Sequence, residues 1–177
     1  MSKPEKPYPV KFFVGILTAR PECLAETESQ LTEAFGPIDY RSRPLPFDVT
    51  NYYEKEMGAN LERIFLSFEN LISPDELPSI KVKTDAIEER LAADGPRRVN
   101  IDPGYLDYHK VVLASNKTGG QKIYLSQGVW ADMTLHYTKG RFVPFEWSFP
   151  DFKKGIYEKM FMEIRARYKR AVTRPEN

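Results

Sequence analysis

Residues Ser73–Asp102, SPDELPSIKVKTDAIEERLAADGPRRVNID, carry the reading on which the fold turns. Ser73 and Glu76 stand at the two ends of a capping box, with Pro74 at the first helical position. Leu77, Ile80, Ile87 and Leu91 then recur at helical spacing as far as Asp94-Gly95-Pro96, and Pro78 is tolerated because it falls in the first turn. The segment therefore reads as one helix. RVNID, residues 98–102, follows it as a strand, with Val99 and Ile101 on one face and Arg98, Asn100 and Asp102 on the other.

Toward the N-terminus, VKFFVGIL (10–17) is a short apolar run rich in aromatic and branched residues, which predicts a strand buried on both faces. Pro21 and Glu22 open a helix to about Phe35, and Gly36-Pro37 ends it. A strand over Ile38–Arg43 follows. FDVTNYYEKEMG (47–58) has no clean period and reads as a long loop, and Leu61–Phe68 reads as another strand. The order strand, helix, strand, strand, helix, strand is that of a ferredoxin-like split βαβ unit. Beyond it come short alternating runs divided by turn residues: HKVVLAS, QKIYLS after NKTGG, WADMTLHY after Gln127-Gly128, and RFVPFEW after Lys139-Gly140. A final helix from Pro150 to about Arg170 carries Phe152, Ile156, Met160, Phe161, Ile164 and Tyr168 on one stripe. The expected fold is α+β: a ferredoxin-like split βαβ N-terminal part extended by an antiparallel β-meander, with three main helices packed on the sheet. At 177 residues it is expected to be a single domain, 1–177, with loose ends at 1–8 and 171–177.

A formal net charge of +1 gives no field that steers the whole molecule toward nucleic acid or an anionic membrane, so any binding is local. The single cysteine, Cys23, forms no internal disulfide and reads as a core residue. The start MSKPEKPYPV lacks the apolar stretch of a secretory signal, and FFVGIL is far short of the roughly 20 residues that span a bilayer. These features predict a soluble, cytoplasmic protein with no membrane partner.

Strand alternation nominates a site. In WADMTLHY it groups Asp132, Thr134 and His136; in QKIYLS it groups Lys122, Tyr124 and Ser126. If these strands are neighbours of RVNID, the polar faces gather Arg98, Asn100, Asp102, Lys122, Tyr124, Asp132 and His136 in one hollow. An ordinary solvated sheet face produces the same alternation, with opposite charges such as Lys122 and Asp132 acting as cross-strand stabilisers, and what points to function is that Asn, Asp and His are poor strand formers placed in strand centres. Asp102-Pro103-Gly104-Tyr105 fits a type II turn beneath that hollow, with Gly104 at positive φ.

Two isolated histidines without a ligand spacing give no metal site, and no nucleophile elbow is present. VVLASNKTG approaches the guanine-specificity motif of GTPases, but Gly119 stands where the base-reading Asp belongs and no phosphate loop exists. A P-loop GTPase is excluded, and NKTGG reads as a hairpin turn. Arg165, Arg167, Lys169, Arg170 and Arg174 suit the negative end of a helix dipole and make nucleic acid an unlikely partner rather than an expected one.

FDVTNYYEKEMG, VNIDPGYL, KIYLSQGVWADMTL and WSFPDFKKGIY resemble a bacterial and archaeal family catalogued as a domain of unknown function, some members of which are labelled GTP-binding. The resemblance covers nearly the whole chain and implies no active site or cofactor. The residues themselves point to a domain for a small anionic or phosphorylated ligand, with enzyme or pure binder both open. Arg98, Lys110 and Lys122 would hold the anion, Asn100, Tyr105 and Tyr124 would orient the ligand, and Asp132, His136 and Asp102 would handle protons. The other reading is a non-catalytic module that contacts protein or RNA. Cofactor and oligomeric state are left unassigned.

Overall fold

The computed structural model describes residues 3–172. Its first half is strand β1 (Val10–Thr18), helix α1 (Leu24–Phe35), strands β2 (Ile38–Arg41) and β3 (Leu45–Pro46), the short helix α2 (Glu54–Met57), strand β4 (Glu62–Ile72), helix α3 (Leu77–Ala92) and strand β5 (Asn100–Leu106). The sheet order β2-β4-β1-β5, with every pair antiparallel, is the ferredoxin-like arrangement that the element order predicts. β1 lies at the centre and is buried at all nine positions, which explains its unbroken apolar run.

Phe12, Val14 and Ile16 of β1 face α1 and α3, packing with Ile64, Leu66, Ile101, Leu31 and Ile87. Phe13, on the opposite face, joins Phe65, Leu106, Val111 and Leu135 beneath helix α5 (Glu158–Val172). Lys11 lies on that same side, fully buried, where its ammonium meets the Asp39 carboxylate and donates to the Phe68 carbonyl at 2.5 Å. The capping box at Ser73 and Glu76 forms as expected and starts α3 through a single 3-10 turn. The final helical stripe is two helices rather than one: α4 (Pro150–Lys153) and α5 are parted by Gly155, whose φ of 69° leaves the helical region.

The remaining strands are β6 (Lys110–Ser115), β7 (Ile123–Ser126), β8 (Val129–Thr138) and β9 (Arg141–Pro144). The order β5-β6-β8-β7 departs from a plain meander, because β8 inserts between β6 and β7. NKTGG therefore connects strands that do not pair. Gln127-Gly128 and Lys139-Gly140 are the true two-residue hairpin turns, all four residues having positive φ. β7 and β9 share one edge of β8, pairing with its two ends. A β-bulge between β6 and β8 sets Val111 opposite Leu135 but Val112 opposite Met133.

Asp102-Pro103-Gly104-Tyr105 is not a turn. All four residues are inside β5, opposite Gly15, Val14, Phe13 and Phe12 of β1. The glycine is needed for space and not for a positive φ: a Cβ at 104 would stand 2.5 Å from the Val112 carbonyl oxygen and 2.8 Å from Phe13 Cζ. Of the ends expected to be loose, residues 3–9 carry no regular structure and 171–172 complete α5, while residues 1–2 and 173–177 lie outside the described residues. Gly104→Ala is expected to lower unfolding stability by about 1–3 kcal/mol, the usual cost of overpacking a tight core position. Urea denaturation checks this, with the midpoint falling and the slope unchanged.

Candidate functional site

β5 and β6 pair only from Gly104–Leu106 to Val111–Leu113. Between Asn100 and Pro103 the strand keeps β1 on one side and has no strand on the other. Backbone groups alternate sides along an antiparallel strand, so Ile101 and Pro103 point into this gap. Pro103 has no N–H to leave unpaired there. The N–H of Ile101 donates to Glu88 Oε1 at 2.5 Å, and its carbonyl accepts from Lys81 Nζ at 3.5 Å. Two side chains of α3, seven residues apart and therefore on one helical face, stand in for the missing strand. Lys81 also pairs with Asp85 one turn on, at 2.7 Å.

On the other side of the sheet Arg63 of β4 donates to Asp102 Oδ2 at 2.6 Å and lies 3.9 Å from Asp151, with its guanidinium 5.2 Å over the Phe47 ring. Gly15 makes room, since a Cβ there would stand 3.2 Å from Arg63 Nη1. Burial would raise the Asp102 carboxyl, but the charges of Arg63 and Lys81 outweigh it and hold the group below its ordinary value. Asp151 accepts from the Tyr157 hydroxyl at 2.8 Å, and burial together with that carboxylate keeps the phenol protonated. Arg97 links the two sides. Its Nη1 donates to Asn100 Oδ1 at 3.0 Å, and its Nε is 3.5 Å from Glu56 and 3.6 Å from Glu88. The buried Nδ2 of Asn100 approaches Asp102 without closing a hydrogen bond of normal geometry, and Arg63 Nε is likewise unpaired.

Glu88 is the chemically distinctive group. Burial pushes its carboxyl up to about 7, and the Ile101 N–H, Lys81 and Arg97 only partly oppose that shift. It lines a groove of about 370 Å³ together with Glu56, Asp85, Glu89, Arg97 and Asn116. The loop that the sequence marks as aperiodic borders this groove: Glu56 belongs to α2, and the Tyr52 ring holds Lys117, whose Nζ is 4.5 Å from the ring centroid and 3.0 Å from the hydroxyl.

Of the residues nominated from sequence, Asn100 and Asp102 lie on the stretch of β5 that has no strand on its second side, though neither lines the groove, and the others do not join them. Arg98 contributes only its carbonyl, which accepts from Thr18. Tyr105 packs on the α3 side with Leu77 and Val112. Lys110 pairs with Asp107, and His136 opposite it rests against Phe145. Lys122 donates to Ser115 at 2.9 Å and lies 3.8 Å from Asp132, whose carboxyl is raised by burial and pulled back by that ammonium. Tyr124 is exposed against Trp130. The single hollow fails because of the bulge. Asp132 faces Leu113 and His136 faces Lys110, positions three apart on β6 and so on opposite faces of the sheet.

Arg63, Lys81, Glu88 and Arg97 were missed by alternation. The spacing 81, 85, 88 was a readable polar stripe on α3, and Arg63 was a charge inside an apolar strand. Arg165 stacks 3.7 Å over Tyr137 and donates to the Tyr108 carbonyl, and Arg167 lies over Tyr40 and donates to Asp39 and Glu163. Those two cations brace the fold instead of presenting a basic surface; Arg174 lies outside the described residues. Among the described residues no group of three or more His, Cys, Asp or Glu is arranged to hold a metal ion, and no helix is long and apolar enough to cross a membrane.

The chain belongs to the family described as a domain of unknown function, DUF4416, whose model matches residues 8–168. No curated protein and no solved structure gave a match.

Asp102→Asn leaves Arg63 buried with only the more distant Asp151, and is expected to cost about 2–4 kcal/mol at pH 7. The Asp102 carboxyl is depressed in the folded state, so its contribution is full above the unfolded value near 3.9 and is lost as pH falls through the folded value. The stability gap between wild type and variant therefore closes below about pH 4, as measured by denaturation at stepped pH.

Proposed function

We propose that the cleft where β5 parts from β6 binds a small cationic or hydrogen-bond-donating molecule, and that Glu88 exchanges a proton with it. The observation that carries this reading is the placement of Glu88: a buried carboxyl, lifted to about 7, that bonds an unladdered strand edge and at the same time forms part of a groove wall. A group of that kind changes charge near neutral pH, as acid–base work requires. The sign of the ligand follows from the lining. Four carboxylates, Glu56, Asp85, Glu88 and Glu89, face one guanidinium, Arg97. The anionic ligand expected from sequence relied on Arg98, Lys110 and Lys122, none of which lines the groove.

In this reading Glu56, Asp85 and Glu89 draw the ligand in, Asn116 and Arg97 orient it, and Glu88 takes or gives the proton. The Arg63–Asp102 pair holds β5 from behind and keeps Asn100 and Arg97 in place. The 47–58 segment, tied to Lys117 through Tyr52, borders the groove through Glu56.

A thermal-shift panel of primary amines, polyamines and guanidines, set against sugar phosphates and nucleotides, tests the reading. At about a hundredfold excess over Kd the right ligand adds roughly 2.7 kcal/mol of stability. A cationic compound should stabilise wild type and fail to stabilise Asp85→Asn. Stabilisation by anions alone would overturn the proposal. Binding of the cation should strengthen as pH rises through about 7, as Glu88 ionises, and Glu88→Gln should remove that pH dependence. Unliganded Glu88→Gln should be no less stable than wild type at pH 8. A carboxyl raised on folding costs stability once it is ionised, and that cost disappears below the unfolded value near 4.3.

A further inference from the structure

Another groove lies on the α5 side of the sheet, where the edge strand β2 meets the start of α5. β2 has a strand neighbour on one side only, and Arg43 follows shortly after its last residue. On the facing flank the chain leaves the helical region at Gly155, so that Ile156, which helical spacing places on the buried stripe, emerges 43% exposed. The two flanks enclose about 240 Å³ lined by Tyr40, Arg43, Ile156, Lys159, Met160 and Glu163. The charges of this lining are unevenly used. Glu163 is matched by Arg167, one helical turn on, at 3.1 Å. Among the described residues the side chains of Arg43 and Lys159 have no hydrogen-bond or ion-pair partner, and the Tyr40 hydroxyl makes no hydrogen bond. Lys159 does not serve the helix it stands on either. It is the second residue of α5, where a cation faces the positive end of the helix dipole and Glu158 is the favourable charge. Exposed cations are commonplace on protein surfaces. This pair differs in that segments far apart in sequence bring both to one groove over an apolar floor.

We infer that this groove holds a small organic oxyanion, with a carboxylate or phosphate head between Arg43 and Lys159 and an apolar body against Ile156, Met160 and the ring of Tyr40. The sign of the ligand follows from the charges. The Glu163–Arg167 pair cancels, and two positive charges are left to be met. The guanidinium of Arg43 offers a planar fork that takes both oxygens of a carboxylate or two of a phosphate, and the ammonium of Lys159 adds a point charge beside it. The organic body follows from the floor. Ile156 and Met160 have nothing to offer a bare inorganic ion, and covering their apolar surface is favourable only for a ligand with apolar surface of its own. Size follows from the volume, which is below the roughly 300–1,000 Å³ of pockets for drug-sized molecules and limits the body to about one ring or a short branched chain. The groove is on the opposite side of the sheet from Glu88 and takes the opposite charge, so the two readings stand or fall separately.

Amide chemical shifts of the isotope-labelled full chain test this, titrated with benzoate and with phenyl phosphate, and with benzylamine and inorganic phosphate as controls. Benzoate or phenyl phosphate should move the amides of Tyr40, Arg43, Ile156 and Met160 saturably, with a Kd on the order of 0.1–10 mM for so few atoms, and the tighter of the two names the head group. Benzylamine, the same body with the opposite charge, should leave these amides unmoved. Inorganic phosphate, a head without a body, should bind about tenfold more weakly or worse. Arg43→Gln and Lys159→Gln, both at exposed positions without partners, should melt as wild type does and should each weaken binding by about tenfold or more, since each removes a charge-assisted hydrogen bond. Titrations in which no shift saturates overturn the inference. So do benzylamine or inorganic phosphate that binds as tightly as benzoate, neutral variants that bind as wild type does, and shifts confined to Glu56, Asp85 and Asn116 of the other groove.

Discussion

Between Asn100 and Pro103 a central strand loses one of its two neighbours, and much of the polar chemistry of the molecule answers that loss. A buried, unpaired backbone amide costs on the order of 1–3 kcal/mol, so the open side of β5 must be satisfied by something. Pro103 avoids the demand by having no N–H. Ile101 meets it with Glu88 and Lys81 of α3. Once a carboxylate and an ammonium occupy the place of a strand, they need partners of their own, and Asp85 and Arg97 provide them. The result is a charged wall where a ladder would otherwise have run, and a cleft beside it.

Two buried ionic clusters sit on the α5 side of the sheet, and their difference bears on function. Around Lys11 the ammonium meets Asp39 and the Phe68 carbonyl, while the second oxygen of Asp39 accepts from Ser67 at 2.5 Å. That cluster is closed on itself and ties β1 to β2 and β4. Behind β5, Arg63 and Asp102 make one short pair, yet Arg63 Nε and Asn100 Nδ2 remain without full partners. A purely structural ion pair gains little over well-packed apolar residues of the same volume, because desolvation offsets most of the Coulombic attraction. An incompletely satisfied one costs more still. Of the three buried side-chain atoms without a partner among the described residues, Arg63 Nε and Asn100 Nδ2 lie against the stretch where β5 loses its neighbour and His136 Nδ1 lies on β8.

The fold was largely legible because it rests on local signals that do not depend on register. The apolar run of β1, the capping box at Ser73, the helical spacing from Leu77 to Leu91 and the Gln127-Gly128 and Lys139-Gly140 turns each follow from a few adjacent residues. The site was legible only at Asn100 and Asp102, because placing the rest needed non-local facts. Asp-Pro-Gly-Tyr has the residues of a turn, but Gly104 is selected by the close approach of Val112 and Phe13, which the two flanking strands β6 and β1 contribute. Arg63 is paired with a residue 39 positions away. No periodicity in either segment records that pairing.

Strand parity itself fails at one residue. Alternation assigns Asp132, Thr134 and His136 to one face so long as β8 keeps its period of two. The bulge inserts Thr134, which is buried and whose carbonyl accepts from Ser148 while its hydroxyl turns back to the Asp132 carbonyl. From that point the strand is out of phase, and His136 passes to the α3 side with Lys110 while Leu135 stays with Val111 beneath α5. The extra residue is retained because it satisfies two geometries at once. Val129 and Ala131 must face the Leu77 cluster at one end, and Leu135 must reach the α5 core at the other, and an unbulged strand cannot meet both against the register of β6. The polar alternation that looked like a gathered site is the by-product of fitting two apolar clusters to one strand, and the groups that do gather are those that replace a missing one.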